Sequence, residues 1–377
     1  MNASAALWRQ WSGQLRALLP ELHGHRSKTL AFAVLGVALA GTARLPRVAE
    51  ALGGVSAAKT PSIERRLARF LANQQVLVLP LWTCLVEQFL AFWRDRRLVF
   101  VLDATALDDR ATVLYLGLLV QSRLLPVSWQ VLPVHEPWEQ RQWEVVGALL
   151  ERVIPHLGAA DCTLLADRGL VGHPLVQLCQ ERGWHYVLRL SAGHTCQPAR
   201  GRWAHTWIAC GRVVAQRGQH WYGSVQLCQE RPLLAAQVSA TWEPDQQAPW
   251  IVLSDRPAGR QRLREYARRM RVESTFQDLK RRGWDLEGTV LADRARLDRL
   301  LLVVFLSFWW LAHLAASCIH HGQRTRFDRH DRREKGIFRL GRLWLLDILR
   351  RAVTEASLTR CIPFRQTPTG WAFSLRF

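Results

Sequence analysis

The sequence predicts an α/β fold: a mixed sheet flanked by helices, with a helical region before it and a β-rich insertion within it. Three observations carry that expectation. Residues 1–95 read as helices, short continuous apolar runs begin at Arg97, and after Ser191 the pattern breaks into β-prone pieces parted by Gly, Pro and Gln. A short apolar run suits a strand buried on both faces. Strands followed by alternating helices and strands point to a mixed sheet with helical cover.

In the first region, Leu45–Leu52 is a short amphipathic stretch ending at Gly53-Gly54, and Pro61–Ala72 begins a second helix after Thr60. Proline is suited to a first helical turn, whose N–H groups have no intrahelical partner. Arg65, Arg66 and Arg69 fall on one side of that helix, and Ile63, Leu67 and Phe70 on another. The pattern is compatible both with a helix-turn-helix DNA reader and with an ordinary helical hairpin.

From Arg97 the expected order is a strand at Leu98–Leu102, two neighbours at Val113–Val120 and Leu124–Leu132, and a helix over Glu139–Ile154. A strand at Cys162–Ala166, a helix at His173–Arg182 and a strand at His185–Leu190 follow. Within 191–255 the β-prone pieces are Ala204–Cys210, His220–Cys228, Leu233–Thr241 and Trp250–Ser254, which predict a small antiparallel unit. Gly259–Arg282 returns to a helix, and 321–377 is a basic end segment. The division expected is therefore 1–95, 96–190, 191–255, 256–320 and 321–377.

Two stretches imitate membrane helices. Thr29–Gly41 is too short to span a bilayer. Leu300–Ile319 is long enough, but Ser307, His313 and Ser317 interrupt it, and it is read as a buried core helix. Met1–Gln14 lacks a basic start followed by an apolar run, and the eight cysteines have no C-x-x-C spacing. A reducing cytoplasm and no membrane partner are the expectations.

The formal charge is +20, and all but four of the 51 basic residues are arginines. A guanidinium offers a planar fork of donors that grips phosphate bidentately, so nucleic acid is the partner this charge favours. A surface that is arginine-rich only for solubility is the plainer alternative.

Asp103 directly follows one apolar run and Asp167 another. A carboxylate at the end of a buried strand emerges at the rim of a sheet, where sites collect. Magnesium takes few hard oxygen ligands and leaves room for a substrate phosphate, so two such aspartates suggest a metal site. Further on, Tyr266, Arg269, Glu273 and Lys280 recur at helical spacing. One helix face would present a phenol, a guanidinium, a carboxylate and an ammonium together. A carboxylate flanked by cations suits phosphodiester chemistry, the acid holding an ion and the cations holding phosphates. The plainer alternative is a solvated charged helix.

Tyr-x2-Arg-x3-Glu-x6-Lys, preceded by Asp103 in Asp-x-Thr and Asp167 in Asp-Arg-Gly, resembles the signature of the insertion sequence four family of DDE transposases. The resemblance runs from about Arg97 to Ile319. It implies an RNase H-like core with Asp103 on its first strand, Asp167 after its fourth and Glu273 on a late helix. It also implies that these three hold two Mg²⁺ (or Mn²⁺) ions, that Tyr266, Arg269 and Lys280 bind DNA phosphates, and that the β-rich insertion seats an unstacked base through one of Trp203, Trp207, Trp221, Trp242 and Trp250. Double-stranded DNA, as transposon ends and target, is the implied partner, with a homodimer pairing the ends near the bacterial nucleoid. Three rivals stay open: a nuclease of the same fold without strand transfer, a non-catalytic DNA-binding relic, and a membrane-associated protein built around Leu300–Ile319.

Overall fold

The computed structural model describes residues 2–120, 123–133, 139–228, 233–270, 284–331, 334–351, 358–367, 370–373 and 375. Five helices come first: α1 (Ala3–Leu18), α2 (Gly24–Ala40), α3 (Leu45–Leu52), α4 (Thr60–Ala72) and α5 (Val78–Ala91). The side chain of Asn2 caps α1 by accepting from the Ser4 N–H. Gly41 ends α2 at φ 68°, a left-handed turn that a glycine takes without a Cβ clash. Proline stands in the first turn of both α3 and α4.

The sheet follows. β1 (Arg97–Leu107), β2 (Ala111–Val120) and β3 (Arg123–Pro133) form an antiparallel meander. α6 (Gln142–Glu151) leads to β4 (Asp161–Ala166), which returns parallel to β1, and α7 (His173–Glu181) carries the chain to β5 (His185–Leu190), parallel to β4. The order β3-β2-β1-β4-β5 is the RNase H-like arrangement, mixed and covered by helices.

The insertion does not form a sheet of its own. β6 (Thr195–Pro198), β7 (Ile208–Ala209), β8 (His220–Leu227), β9 (Leu234–Thr241) and β10 (Trp250–Ser254) extend the same sheet to ten strands, in the order β3-β2-β1-β4-β5-β10-β9-β8-β6-β7. The join is β10, which pairs antiparallel with β5 on one side and with β9 on the other. The strand expected over Ala204–Cys210 shrinks to Ile208–Ala209, because its only partner is the four-residue β6.

α8 (Arg260–Ala267) leaves β10 through Gly259 and gives way to a 3₁₀ turn at Arg268–Met270. Of the helix expected over Gly259–Arg282, Arg260–Ala267 is α-helical and Arg268–Met270 a 3₁₀ turn, and the remainder from 271 lies outside the described residues. α9 (Arg294–His320), the apolar helix long enough to span a bilayer, is buried inside the protein along nearly all of its length. It ties the helical region to the sheet: Ser307 donates to the Val34 carbonyl on α2 at 3.0 Å, and the Trp309 indole N–H to the Pro126 carbonyl on β3 at 3.0 Å. Trp82 of α5, Trp309 and Phe89 stack through ring centroids 4.5 and 4.2 Å apart. α10 (Ile337–Arg351) and a hairpin of β11 (Phe364–Thr367) and β12 (Gly370–Phe373) complete the chain.

Candidate active site

β1 and β4 run parallel in register from Arg97↔Asp161 to Leu102↔Ala166. The next residue on each chain is an aspartate, so parallel register alone delivers Asp103 and Asp167 to the same edge. Asp103 does not follow its strand, as the apolar run had predicted; it lies within it. β1 continues to Leu107 because β2 goes on pairing beyond the end of β4, with Asp103 opposite Tyr115. Asp167 leaves its strand and opens the 3₁₀ turn Arg168–Leu170.

The third component comes from α8 and the turn after it. Tyr266 is fully buried, and its hydroxyl donates to Asp167 Oδ1 at 3.0 Å. Arg269, 6% exposed, spends each guanidinium nitrogen on a different oxygen. Nε donates to the Tyr266 hydroxyl at 3.1 Å, Nη1 meets Asp103 Oδ2 at 2.7 Å, and Nη2 meets Asp167 Oδ2 at 2.7 Å. The Ala104 N–H donates to Asp103 Oδ1 at 2.9 Å, so all four carboxylate oxygens accept a hydrogen bond.

The two aspartates feel this environment differently. Burial pushes the Asp103 carboxyl above its ordinary value, against the pull of Arg269 and with the Asp167 charge adding to the rise. Asp167 is less enclosed; burial disfavours its charge too, but Arg269, the Arg168 N–H and the Tyr266 hydroxyl together hold it below the ordinary value. Burial works against the Arg269 charge as well, yet Tyr266 and the two aspartates outweigh it and keep the guanidinium protonated.

One neighbour was missed in the sequence, and another was among the five tryptophans it offered. Arg189 on β5 places Nη1 3.8 Å from Asp167 Oδ1. Its signal was present, an arginine inside an otherwise apolar strand. Trp250, at the start of β10, packs edge-on against Tyr266 with centroids 5.3 Å apart, and Arg189 lies 6.0 Å from its ring centre. Trp250 is thus the insertion tryptophan beside the aspartates, whereas Trp203 is covered by Arg202 and Arg212. All five insertion tryptophans are half-buried.

Glu273 and Lys280, the other two members of the helical motif, lie outside the described residues. Among the described residues no three His, Cys, Asp or Glu side chains converge as a metal cage. What does converge is a pair of carboxylates sharing the Arg269 guanidinium, with Arg189 beside Asp167. Carboxylate oxygens are the hard donors that a divalent ion of the magnesium type takes, so this donor set fits such an ion. Two acids close to the motifs in sequence are engaged elsewhere: Asp108 pairs with Arg110 at 3.0 Å, and Asp285 faces Arg44 at 3.6 Å.

Residues 142–310 match the family model described as a transposase DDE domain. The matched span runs from α6 through α9, includes Asp167 and the segment of Glu273, and leaves out Asp103. No curated protein matches the chain.

Proposed function

We propose that the chain is a DNA transposase, which cuts DNA at the ends of an insertion sequence and joins the freed 3′-hydroxyl to a target. The observation that carries this reading is the meeting of Asp103 and Asp167 on one shared guanidinium, each the first residue past the Leu102↔Ala166 end of the parallel β1–β4 pairing. The transposase-type match over 142–310 supports the same reading.

In this reading Asp103, Asp167 and Glu273 hold two Mg²⁺ (or Mn²⁺) ions. Bound there, the ions would stabilise the attacking and leaving oxygens of an in-line displacement at phosphorus. The protein's own residues set the geometry. The β1–β4 register fixes the separation of the carboxylates, and the Ala104 N–H and Tyr266 hydroxyl orient one oxygen of each. Pre-aligned ligands need little reorganisation when charge develops on the phosphate. Arg269 holds the carboxylates together and, with a metal ion in that place, would have its fork to offer to a phosphate near the break. Tyr266 positions Arg269, and Lys280 contributes a second cation to the DNA. A homodimer would present two such sites to the paired ends.

The test is nicking of a duplex carrying the element's own ends, in Mg²⁺. Asp103→Ala, Asp167→Ala and Glu273→Ala should each reduce cutting to background while duplex binding persists. Substantial cleavage by Asp167→Ala would sink the assignment, and cutting without joining of a labelled 3′ end would reduce the enzyme to a nuclease.

A further inference from the structure

A second cluster of cations lies far from the aspartates in sequence, where α2 and α4 part to leave a cleft of about 470 Å³. Arg26 lines one wall, and Arg65 and Arg69 the other, where Ser62 and Asn73 add hydrogen-bonding groups. Arg65 and Arg69 are both exposed and one helical turn apart, about 6 Å along the axis. Arg66, between them, is turned inward. Its Nε and Nη2 donate to Thr29 Oγ1 at 3.2 and 3.0 Å, and its guanidinium sits 4.8 Å over the Phe32 ring. Arg66 thus braces α4 against α2 beside the cleft.

None of the described carboxylates forms an ion pair with Arg26, Arg65 or Arg69. This is unlike Arg47, Arg97, Arg182 and Arg324, each of which meets an acid. The first turn of the 17-residue α2 lies on the same wall, adding the positive end of its dipole. Three guanidiniums lining one cleft without a counter-charge make a positive site that an anion complements.

We propose that this cleft grips the phosphodiester backbone of duplex DNA at a place separate from the aspartate pair, an inference that rests on DNA being the substrate. The grip is not a helix-turn-helix reading of bases. That motif joins its helices by a turn of about 3–4 residues, whereas residues 53–59 separate α3 from α4, and the arginine face of α4 looks toward α2. Phosphate contacts position a duplex without reading its sequence, so this cleft binds any duplex alike.

The experiment measures binding of the full chain to a duplex of arbitrary sequence across a range of NaCl, in chelator. Without divalent ion it stands or falls apart from the cleavage chemistry. The Arg65→Ala/Arg69→Ala double variant should lower the log–log salt slope by about two, near 0.9 for each lost phosphate contact. Arg182→Ala/Arg329→Ala removes the same charge from acid-paired surface arginines and should leave the slope unmoved. An unchanged slope in the first variant, or an equal fall in the control, overturns the proposal. A parallel arm follows melting in inorganic phosphate. If phosphate protects the parent and not the variant while the duplex slope stays fixed, the cleft takes small anions and the DNA grip is wrong.

Discussion

Just past the parallel pairing of β1 and β4, Arg269 is buried and gives all three nitrogens to oxygens of Asp103, Asp167 and Tyr266. On α4, Arg65 and Arg69 stand in solvent without an acid partner. The residue type is the same, and the surroundings decide its work. A buried charge must be paired, because desolvation is not otherwise offset, so Arg269 holds a local structure together. An exposed charge needs no partner to be stable, so Arg65 and Arg69 are free to meet a ligand. Arg66 is the intermediate case, half-buried and bonded to Thr29. Burial alone drives its own guanidinium below the ordinary value.

The largest effect expected from this contrast is on stability in chelator. Arg269→Ala leaves two carboxylates facing each other and should lose about 3 kcal/mol, the lower end for a broken buried pair. Arg65→Ala should stay within about 0.5 kcal/mol of the parent, as surface substitutions do. Denaturant titration of both variants measures the gap, and equal losses would erase the distinction.

A divalent ion should partly replace the missing guanidinium. In about 10 mM Mg²⁺ the melting temperature of Arg269→Ala should rise more than that of the parent, since a cation bound only by the folded state stabilises it. An Mg²⁺ response no greater than the parent's would argue that the aspartate pair does not take a metal.

Arg66→Ala sharpens the middle of the scale. Losing a charged donor to Thr29 and its contact over Phe32 should destabilise by about 1–2 kcal/mol. A loss as small as that of Arg65→Ala would mean that Arg66 does not brace the cleft.

The smallest effect is one of pH. The carboxyl of Asp167 is held below its ordinary value, so its pairing adds stability at neutral pH that fades as pH falls through the depressed value. In chelator, the melting temperature of Asp167→Asn should lie below the parent's at pH 7, and the gap should narrow toward pH 3. A gap constant across that range would show that Asp167 titrates alike folded and unfolded.

Much of the fold was legible in the residues. His185–Leu190 and Trp250–Ser254 match their strands to the residue, and Leu45–Leu52 its helix, because apolar spacing and flanking turn residues are local properties. Strand ends were less legible. β1 runs on to Leu107 because its limit is set by β2, a partner that periodicity does not see. The insertion was recognised as β-rich but not as part of the main sheet, since strand pairing between β10 and β5 joins residues about sixty positions apart.

The sequence by itself determined the residue types of the candidate site, two aspartates closing apolar runs and a Tyr-x2-Arg spacing, because chemistry and short-range spacing are written in the chain. It also determined the excess of arginine and the presence of a buried apolar helix. Only the tertiary structure decided that Asp103 and Asp167 share one edge, through the Leu102↔Ala166 register, and that Arg269 closes on both. It alone separated Arg66 from Arg65 and Arg69, three residues that look alike on a helical projection. The physical reason is common to both cases: register and burial arise from contacts between distant segments, and they determine whether a charge is paired or left for a ligand.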